Sequence, residues 1–181
     1  MINYKYGNEI SYDIIKLGKN NYTLLKDFDC GSETLNNYFR EECENDDSVV
    51  TYLFVDKKLN KLIGCVSLAC SGIMYEVGKY VNTFPAIEIK YFAVRSCYQD
   101  LLYEASEDSE HYYFSDELLS SIIFKCCDIS QNIIGASYLI LYSVKDAVHF
   151  YRRNKFIEYN EYMKKNKNQE ITDCYPMFLP L

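Results

Sequence analysis

The chain has 181 residues, of which 49% are hydrophobic and 25% charged, and this suits a globular domain with a buried core. Its formal net charge of −7 argues against a protein whose whole surface binds nucleic acid, because such binding depends on neutralising phosphates. Because it has no apolar run of about 20 residues, no signal-like start and no paired motif among its eight cysteines, we predict a single domain, residues 1–181, in the cytoplasm with reduced thiols.

The first half of the chain alternates between strand and helix patterns. Residues 10–17 predict a strand, and residues 22–29 fit a short helix or a loop. Ser32 stands where an N-cap is needed, ahead of a helix that runs to about Cys43. Residues 49–55 and 62–69 are rich in β-branched and aromatic side chains and predict a hairpin. Residues 71–84 show no clear period, so we predict an irregular segment there.

The strand around which the chain is organised is predicted at residues 85–94, which read PAIEIKYFAV. Apolar side chains alternate along it, as in a strand near the centre of a sheet. A polar, acidic segment follows. Ser115 then opens an amphipathic helix that runs to about Gln131 and is ended by Gly135. This strand–loop–helix order places free backbone N–H groups where an anionic ligand can bind.

The C-terminal part of the sequence completes the predicted sheet. Residues 138–142 are apolar throughout and predict a strand that is covered on both faces. Asp146 is predicted to cap a last helix, and residues 157–162 and 175–179 predict a terminal hairpin. The order of elements predicts an α+β fold with a mixed, largely antiparallel sheet.

Three short motifs lie in order on these elements. Residues 28–36 read FDCGSETLN, residues 92–94 read FAV, and residues 147–156 read AVHFYRRNKF. Together they resemble motifs of the GCN5-related N-acetyltransferases (GNAT superfamily), in a branch that includes toxins acetylating aminoacyl-tRNA. The resemblance covers nearly the whole chain. It implies the GNAT fold, a central sheet of about seven strands that is flanked by helices and splays between strands four and five.

The resemblance also implies an activity, the direct transfer of an acetyl group from acetyl-CoA, the co-substrate, to a primary amine. In that family, backbone N–H groups at the end of the fourth strand bind the thioester arm, here in the cleft between residues 92–94 and 142–144. The phosphates are expected near Gln99 and the start of the next helix. The implied cofactor-binding residues are Phe92, Ala93, Val94, Gln99, Phe114, Ser115, Asp116 and Glu117.

The sequence departs from the family in the phosphate loop, usually R/Q-x-x-G-x-G/A. Only Gln99 fits, no glycine occurs between residues 79 and 134, and an acidic insertion at residues 104–111 delays the helix. Asp116 and Glu117 in the first turn compete with an incoming phosphate. Either the phosphates rest on N–H groups of residues 114–118, or cofactor binding is weakened or lost. The second account makes a catalytically inactive binding or regulatory module the alternative function.

Two residues are candidates for catalysis. By resemblance, Tyr151 protonates the leaving thiolate, whereas its spacing alone favours a packed ring on an apolar helix face. Glu88 on the organising strand is the candidate base for the amine, or a solvated carboxylate. We predict no metal site, because His111 and His149 lack partners at ligand spacing. Lys155 replaces a glycine of the family motif, so we expect Asn154 to adopt the left-handed conformation there.

The acceptor amine is left open between a protein, a small molecule and, less favoured, aminoacyl-tRNA. A tRNA acceptor needs a positive surface, and one late basic cluster offers it against the overall charge of −7. The cluster consists of Arg152, Arg153, Lys155, Lys164, Lys165 and Lys167. No membrane partner is predicted, and a homodimer formed through the sheet or the terminal hairpin is compatible with the pattern.

Overall fold

The structure, a computed structural model, describes residues 4–105, 111–159 and 173–181. Its strands are β1 (Tyr12–Lys16), β2 (Val50–Asp56), β3 (Leu62–Val77), β4 (Tyr80–Val94), β5 (Tyr138–Ser143), β6 (Ile157–Glu158) and β7 (Tyr175–Pro180). Its α-helices are α1 (Glu33–Asn37), α2 (Ser96–Gln99), α3 (Phe114–Ile129) and α4 (Val148–Arg153). No helix in the described part of the chain has the length and apolar character needed to cross a bilayer.

The seven strands form one mixed sheet in the order β1-β2-β3-β4-β5-β7-β6. β4 pairs with β5 in parallel, whereas the β1–β2, β2–β3, β5–β7 and β6–β7 pairs are antiparallel. The predicted fold class is therefore confirmed. Contacts divide the chain into two compact units, Met1–Leu68 with Tyr91–Leu119 and Ala69–Lys90 with Ser120–Leu181. The prediction of one domain over residues 1–181 stays a prediction.

The first unit has its core between α1 and strands β2 to β4. Ser32 caps α1 by accepting a hydrogen bond from the Leu35 N–H at 3.5 Å, as predicted, and the helix continues as a π-helical turn to Glu42. The turn packs aromatic rings onto the sheet, with Phe28 and Phe39 fully buried edge to face at 5.9 Å. The fully or largely buried members of this core are Leu25, Phe28, Cys30, Tyr38, Phe39, Cys43, Leu53, Val55, Leu62, Cys65 and Ala93.

The prediction of an irregular segment at residues 71–84 is wrong, because β3 and β4 together form a long hairpin. Gly78, at φ +63°, makes the turn between them in a conformation that glycine adopts without strain. Met74, Tyr80 and Val81 on this hairpin are 62%, 76% and 63% exposed. Ile73 is buried, but with three large apolar side chains exposed the stretch lacks the sustained apolar–polar alternation that reveals a strand in a sequence.

The second unit ends in the predicted helix and hairpin, with two corrections at the helix. Asp146 is not its cap, because it lies inside a 3-10 turn (Lys145–Ala147), and Ala147 precedes α4 without any side-chain capping bond. Asn154 is not left-handed, because its backbone and side-chain N–H groups both bond to the Phe150 carbonyl at φ −86°. Lys155 itself adopts the left-handed conformation, at φ +70°.

β6 and β7 form the predicted antiparallel pair, with Ile157 opposite Phe178. Residues 160–172 lie outside the described part of the chain. They include Lys164, Lys165 and Lys167 of the basic cluster, and most of the acidic insertion, residues 106–110, lies outside it as well. All eight cysteines are free in the structure.

Candidate active site

The parallel ladder between β4 and β5 defines the predicted splay of the sheet. It runs from Ala86 opposite Tyr138 to Ile89 opposite Leu141, and both strands continue beyond it. Strands that stop pairing leave backbone N–H and C=O groups without a ladder partner. In an acyl transferase such groups are suited to bind the amide-rich arm of a thioester co-substrate.

The end of β4 carries three of the predicted cofactor-binding residues. Ala93 and Val94 are buried, and the half-buried Phe92 ring lies edge to face against Phe54 at 6.4 Å. Gly64 on β3 faces this segment so closely that a Cβ there would lie 2.8 Å from the Ala93 carbonyl oxygen. The side chains of this segment therefore contribute packing, which leaves its backbone as the part that can recognise a ligand.

Gln99, the predicted phosphate ligand, is engaged within the first unit. Its side-chain Nε2 donates to the Cys30 and Val94 carbonyl oxygens, both at 2.8 Å. Both amide hydrogens thereby join the end of β4 to the loop before α1. In this arrangement Gln99 positions the strand end, and its donors are not directed at an anion.

The loop of residues 28–36, which carried the resemblance, is held together by its own polar groups. Asn36 is 4% exposed; its Oδ1 accepts from the Cys30 N–H at 2.9 Å, and its Nδ2 donates to Asp29 Oδ1 at 2.8 Å. The Gly31 N–H also donates to Asp29 Oδ1, and this bond, with that from Asn36, lowers the pKa of Asp29. Gly31 has φ +80°, so the loop needs a glycine there. The motif is thus explained by loop geometry.

At the N-terminus of α3, where the phosphates are predicted, three backbone N–H groups have partners within the chain. The Phe114 N–H donates to the Leu101 carbonyl at 2.8 Å, and the Asp116 and Glu117 N–H groups donate to the Tyr113 carbonyl at 3.0 and 3.3 Å. The Asp116 carboxylate, which is fully buried, accepts from the Tyr113 N–H at 2.9 Å.

The side chains at the start of α3 are likewise engaged in contacts within the protein. The Phe114 ring is fully buried between Tyr12 and Tyr98, at 5.9 and 6.1 Å, and Ser115 is buried. The Glu117 carboxylate accepts from the Tyr112 hydroxyl at 3.1 Å. In the described residues, then, this helix start is disfavoured for a pyrophosphate, because the Phe114, Asp116 and Glu117 N–H groups have partners and the first turn holds the buried Asp116 carboxylate.

Tyr151, the candidate acid, lies on α4 among aromatic rings. Its ring packs edge to face against Phe150 at 5.1 Å and Phe156 at 5.6 Å, and the residue is buried. Burial raises the pKa of its hydroxyl, so the group is protonated at neutral pH. A general acid needs that state, and a packed phenol has it too, so the geometry is compatible with both interpretations.

Glu88, the candidate base, has two tyrosines near it that the sequence did not single out. Burial and the Glu88 charge raise the pKa of Tyr142 on β5, and burial, Tyr142 and Glu88 raise the pKa of Tyr159 after β6. The sequence showed only that Tyr138 and Tyr142 lie four residues apart on the predicted strand and so on one face of it; both are half-buried. Tyr159 carried no signal, because its place beside β7 depends on the pairing of β6 with β7, and its place near Glu88 depends in addition on the pairing of β7 with β5.

Comparison with known proteins gives a fold but no sequence relative. No protein-family model matches the sequence, and no curated protein does. A bacterial toxin structure matches with a TM-score of 0.71 at 16% identity over 94% of this chain and 91% of that one. The AtaTR complex bound with acetyl-CoA matches with a TM-score of 0.64 at 18% identity over 93% and 92% of the two chains. The chain has the GNAT fold.

A further structure with the GNAT fold is AtaT complexed with acetyl-methionyl-tRNAfMet, at a TM-score of 0.66 and 17% identity over 94% of this chain and 95% of that one. At such identities the likeness shows the fold alone. Within the GNAT fold of this chain, the residues brought together are Val94 with Gln99 in the first unit, and Glu88 with Tyr142 and Tyr159 in the second.

Proposed function

We propose that this protein is an acetyl-CoA-dependent N-acetyltransferase that transfers the acetyl group directly to a primary amine. The observation that supports it most is the GNAT fold with its β4–β5 splay directly after the ladder that holds Glu88. Among the structures of the same fold, the AtaTR complex is bound with acetyl-CoA and AtaT is complexed with an acetylated aminoacyl-tRNA. Those ligands belong to those proteins, and we extend to this chain only the class of reaction.

The proposed reaction assigns one proton to each candidate residue. The amine nitrogen bonds to the thioester carbonyl carbon while the carbon–sulfur bond breaks, so the amine loses a proton and the sulfur gains one. Glu88 takes one proton of the acceptor ammonium, which makes the amine nucleophilic, and the second proton that the nitrogen loses as the amide forms goes to solvent. Tyr151, which is protonated at neutral pH, gives its proton to the departing thiolate and regains one from solvent. The backbone at Phe92, Ala93 and Val94 holds the thioester arm.

The phosphates are the part of the co-substrate for which the described residues offer the fewest available hydrogen-bond donors. We place them near Gln99 and the N-terminus of α3, where the N–H groups have partners within the chain and Asp116 is buried. Binding there requires these bonds to be exchanged for bonds to phosphate, which costs affinity. We therefore expect the arm of acetyl-CoA to contribute most of its binding energy.

The internally satisfied helix start also favours a second candidate function, a GNAT-fold module that binds a partner without catalysis. In that case neither acetyl-CoA nor CoA binds, and Glu88 and Tyr151 have no role in turnover. The two functions differ in one measurement, because a ligand that binds only the folded protein stabilises it.

That measurement is thermal unfolding and isothermal titration with acetyl-CoA at millimolar concentration, with S-acetylpantetheine as the matched ligand that lacks the phosphates. At a Kd of about 0.1 mM, 1 mM acetyl-CoA is expected to stabilise the protein by about 1.4 kcal/mol. Similar affinities for the two ligands are expected if the arm dominates. Absence of any shift or heat with either ligand would reject the enzyme and favour the inactive module.

The acceptor is a primary amine on a small molecule or protein, with aminoacyl-tRNA as the less favoured option. AtaT is found with a tRNA, which supports that option. Against it, the described part of the basic cluster is partly neutralised, since Arg152 forms an ion pair with Glu158. The Arg153 guanidinium lies over the Phe150 ring at 5.5 Å. With a net charge of −7, this leaves little positive surface among the described residues for a phosphate backbone.

A further inference from the structure

One face of the sheet in the second unit carries a group of aromatic and polar side chains. Most of them belong to none of the three motifs and have no role in the proposed reaction. Residues opposite each other in a ladder point to the same face of the sheet. Glu88 lies opposite Ile140, and Ile140 lies opposite Phe178, which lies opposite Ile157. Two residues further along each strand, Tyr142 and Tyr159 share that face.

Aromatic rings cover this face in an unbroken series. Tyr75 stacks on Phe84 at a centroid distance of 4.7 Å, and Phe84 meets the Tyr138 ring at 5.6 Å. Tyr138 then meets Phe178 at 5.7 Å, and Phe178 meets Tyr159 at 5.2 Å. Tyr75, Tyr138 and Phe178 are half-buried and Phe84 is exposed, so the rings present an apolar surface to a ligand.

Two polar groups on the same face lack a partner in the part of the chain that the structure describes. The Tyr159 hydroxyl is buried in a residue only 6% exposed and forms no hydrogen bond there. A buried hydroxyl without a bond costs about 1–3 kcal/mol, so the site is suited to a ligand that supplies an acceptor or donor. The half-buried Glu88 carboxylate forms no hydrogen bond or ion pair with a described residue, and it favours a cation.

We propose that this face binds the acceptor, and that the acceptor class is a primary alkylamine joined to a flat apolar group, such as an arylethylamine. Glu88 binds the ammonium, the series of rings packs against the flat group, and the Tyr159 hydroxyl bonds to a polar atom of the ligand. The fate of the bound amine rests on the proposed function, whereas its binding does not.

The test is isothermal titration of the full chain, without acetyl-CoA, against 2-phenylethylamine. Two matched ligands separate the contributions: 2-phenylethanol lacks the ammonium, and ethylamine lacks the ring. We expect 2-phenylethylamine to bind at least about tenfold more tightly than either, because an ion pair to a partly buried carboxylate and ring burial each contribute that much. Equal binding of the three ligands, or none, would overturn the inference without any variant being made.

Variants then locate the site. Glu88→Gln keeps the size of the side chain and is expected to weaken 2-phenylethylamine binding about tenfold or more, while 2-phenylethanol binding stays the same. Tyr159→Phe is expected to weaken binding of tyramine, which carries a ring hydroxyl, several-fold. Glu41→Gln, at an exposed position of the first unit, is the control and should change nothing. Unchanged amine binding in Glu88→Gln, with retained thermal stability, would overturn the site.

The same titrations distinguish this inference from the proposed function. Selective amine binding without any acetyl-CoA binding or thiol release would support the aromatic face and refute the acetyltransferase. Acetyl-CoA turnover with an aliphatic or polypeptide amine, together with no selectivity for 2-phenylethylamine, would support the enzyme and refute the aromatic face.

Discussion

Two regions of this molecule treat their polar groups in opposite ways. In the first unit, the loop at residues 28–36 and the N-terminus of α3 pair their polar groups internally, with Asn36 making two hydrogen bonds and Gln99 two. On the aromatic face of the second unit, Glu88 and the Tyr159 hydroxyl have no hydrogen-bond partner among the described residues. Because a buried hydroxyl without a partner is costly, that of Tyr159 is a group that a ligand would complete, and the half-buried Glu88 carboxylate is available to a cation.

The comparison separates residues that build the fold from residues that are available to a ligand. The motif most specific to the toxin-like branch, FDCGSETLN, belongs to the first kind, since its polar contacts are made within its own loop or to other residues of the first unit, among them Arg40, Ser96 and Gln99. A likeness in such a motif therefore predicts fold, and substrate preference has to be sought on the second unit.

The largest effect is expected at Tyr151, which tests whether a packed ring also acts in catalysis. Tyr151→Phe removes one hydroxyl and keeps the ring contacts with Phe150 and Phe156. If the hydroxyl is the general acid, turnover measured by thiol release should fall about ten- to a thousandfold with unchanged acetyl-CoA affinity. Equal turnover in the variant and the wild type would assign Tyr151 to packing.

The second effect is on stability, and it tests whether Asn36 holds the loop at residues 28–36 of the first unit. Asn36→Ala deletes two hydrogen bonds and leaves the buried Cys30 N–H without its acceptor, so we expect a loss of about 2–3 kcal/mol in unfolding free energy. Asn37→Ala is the matched control, because the neighbouring asparagine is exposed and a helix favours alanine. Denaturant unfolding of both variants measures the difference; similar losses would mean that the loop is not held by Asn36.

These regions also differ in how far their structure could be predicted. Local signals were enough for α1, α3 and β5, because N-cap chemistry and periodicity act within one element. They failed for the β3–β4 hairpin, where Ile73 is buried but Met74 and Tyr80 are exposed, so that apolar residues do not mark one face of the strands. They also failed for the end of α4, where Lys155 rather than Asn154 is left-handed because Asn154 bonds to Phe150.

The site was harder to predict than the fold, for a physical reason. Glu88 was identified because it lies on the organising strand itself. Tyr159 was missed because the place of its hydroxyl depends on two ladders, β5–β7 and β6–β7, that join residues distant in sequence. The hydrogen-bond partners of Gln99 and of the α3 N-terminus also lie far away in sequence or in the preceding loop. A motif could therefore identify these residues, but it could not show that their N–H groups bond to other residues of the chain.

A smaller effect is expected at Asp116, and it tests whether the α3 N-terminus is purely structural. Asp116→Asn keeps an oxygen that can accept from the Tyr113 N–H but removes the negative charge. If phosphates bind at this helix start, acetyl-CoA affinity in calorimetry should rise about three- to tenfold, while S-acetylpantetheine affinity stays the same. Asp47→Asn, an exposed change of the same charge, is the control. An unchanged affinity ratio would place the phosphates elsewhere.

The smallest effect is expected at Lys155, where the second unit holds a side chain in the left-handed conformation. A residue with a Cβ costs about 1 kcal/mol or more at φ +70°, whereas glycine adopts this conformation readily but loses more entropy on folding. Lys155→Gly should therefore raise the unfolding free energy by about 0.5–1 kcal/mol. Asn154→Gly, one residue earlier at φ −86°, removes the side-chain hydrogen bond to the Phe150 carbonyl. This variant should therefore lower the unfolding free energy. Thermal and denaturant unfolding of the two variants measure these changes. A lower unfolding free energy in Lys155→Gly would mean that contacts of the lysine side chain stabilise the fold. A gain would show that the glycine of the family motif serves the turn after α4 and not the reaction, which places it with Asn36 among the residues that build the fold.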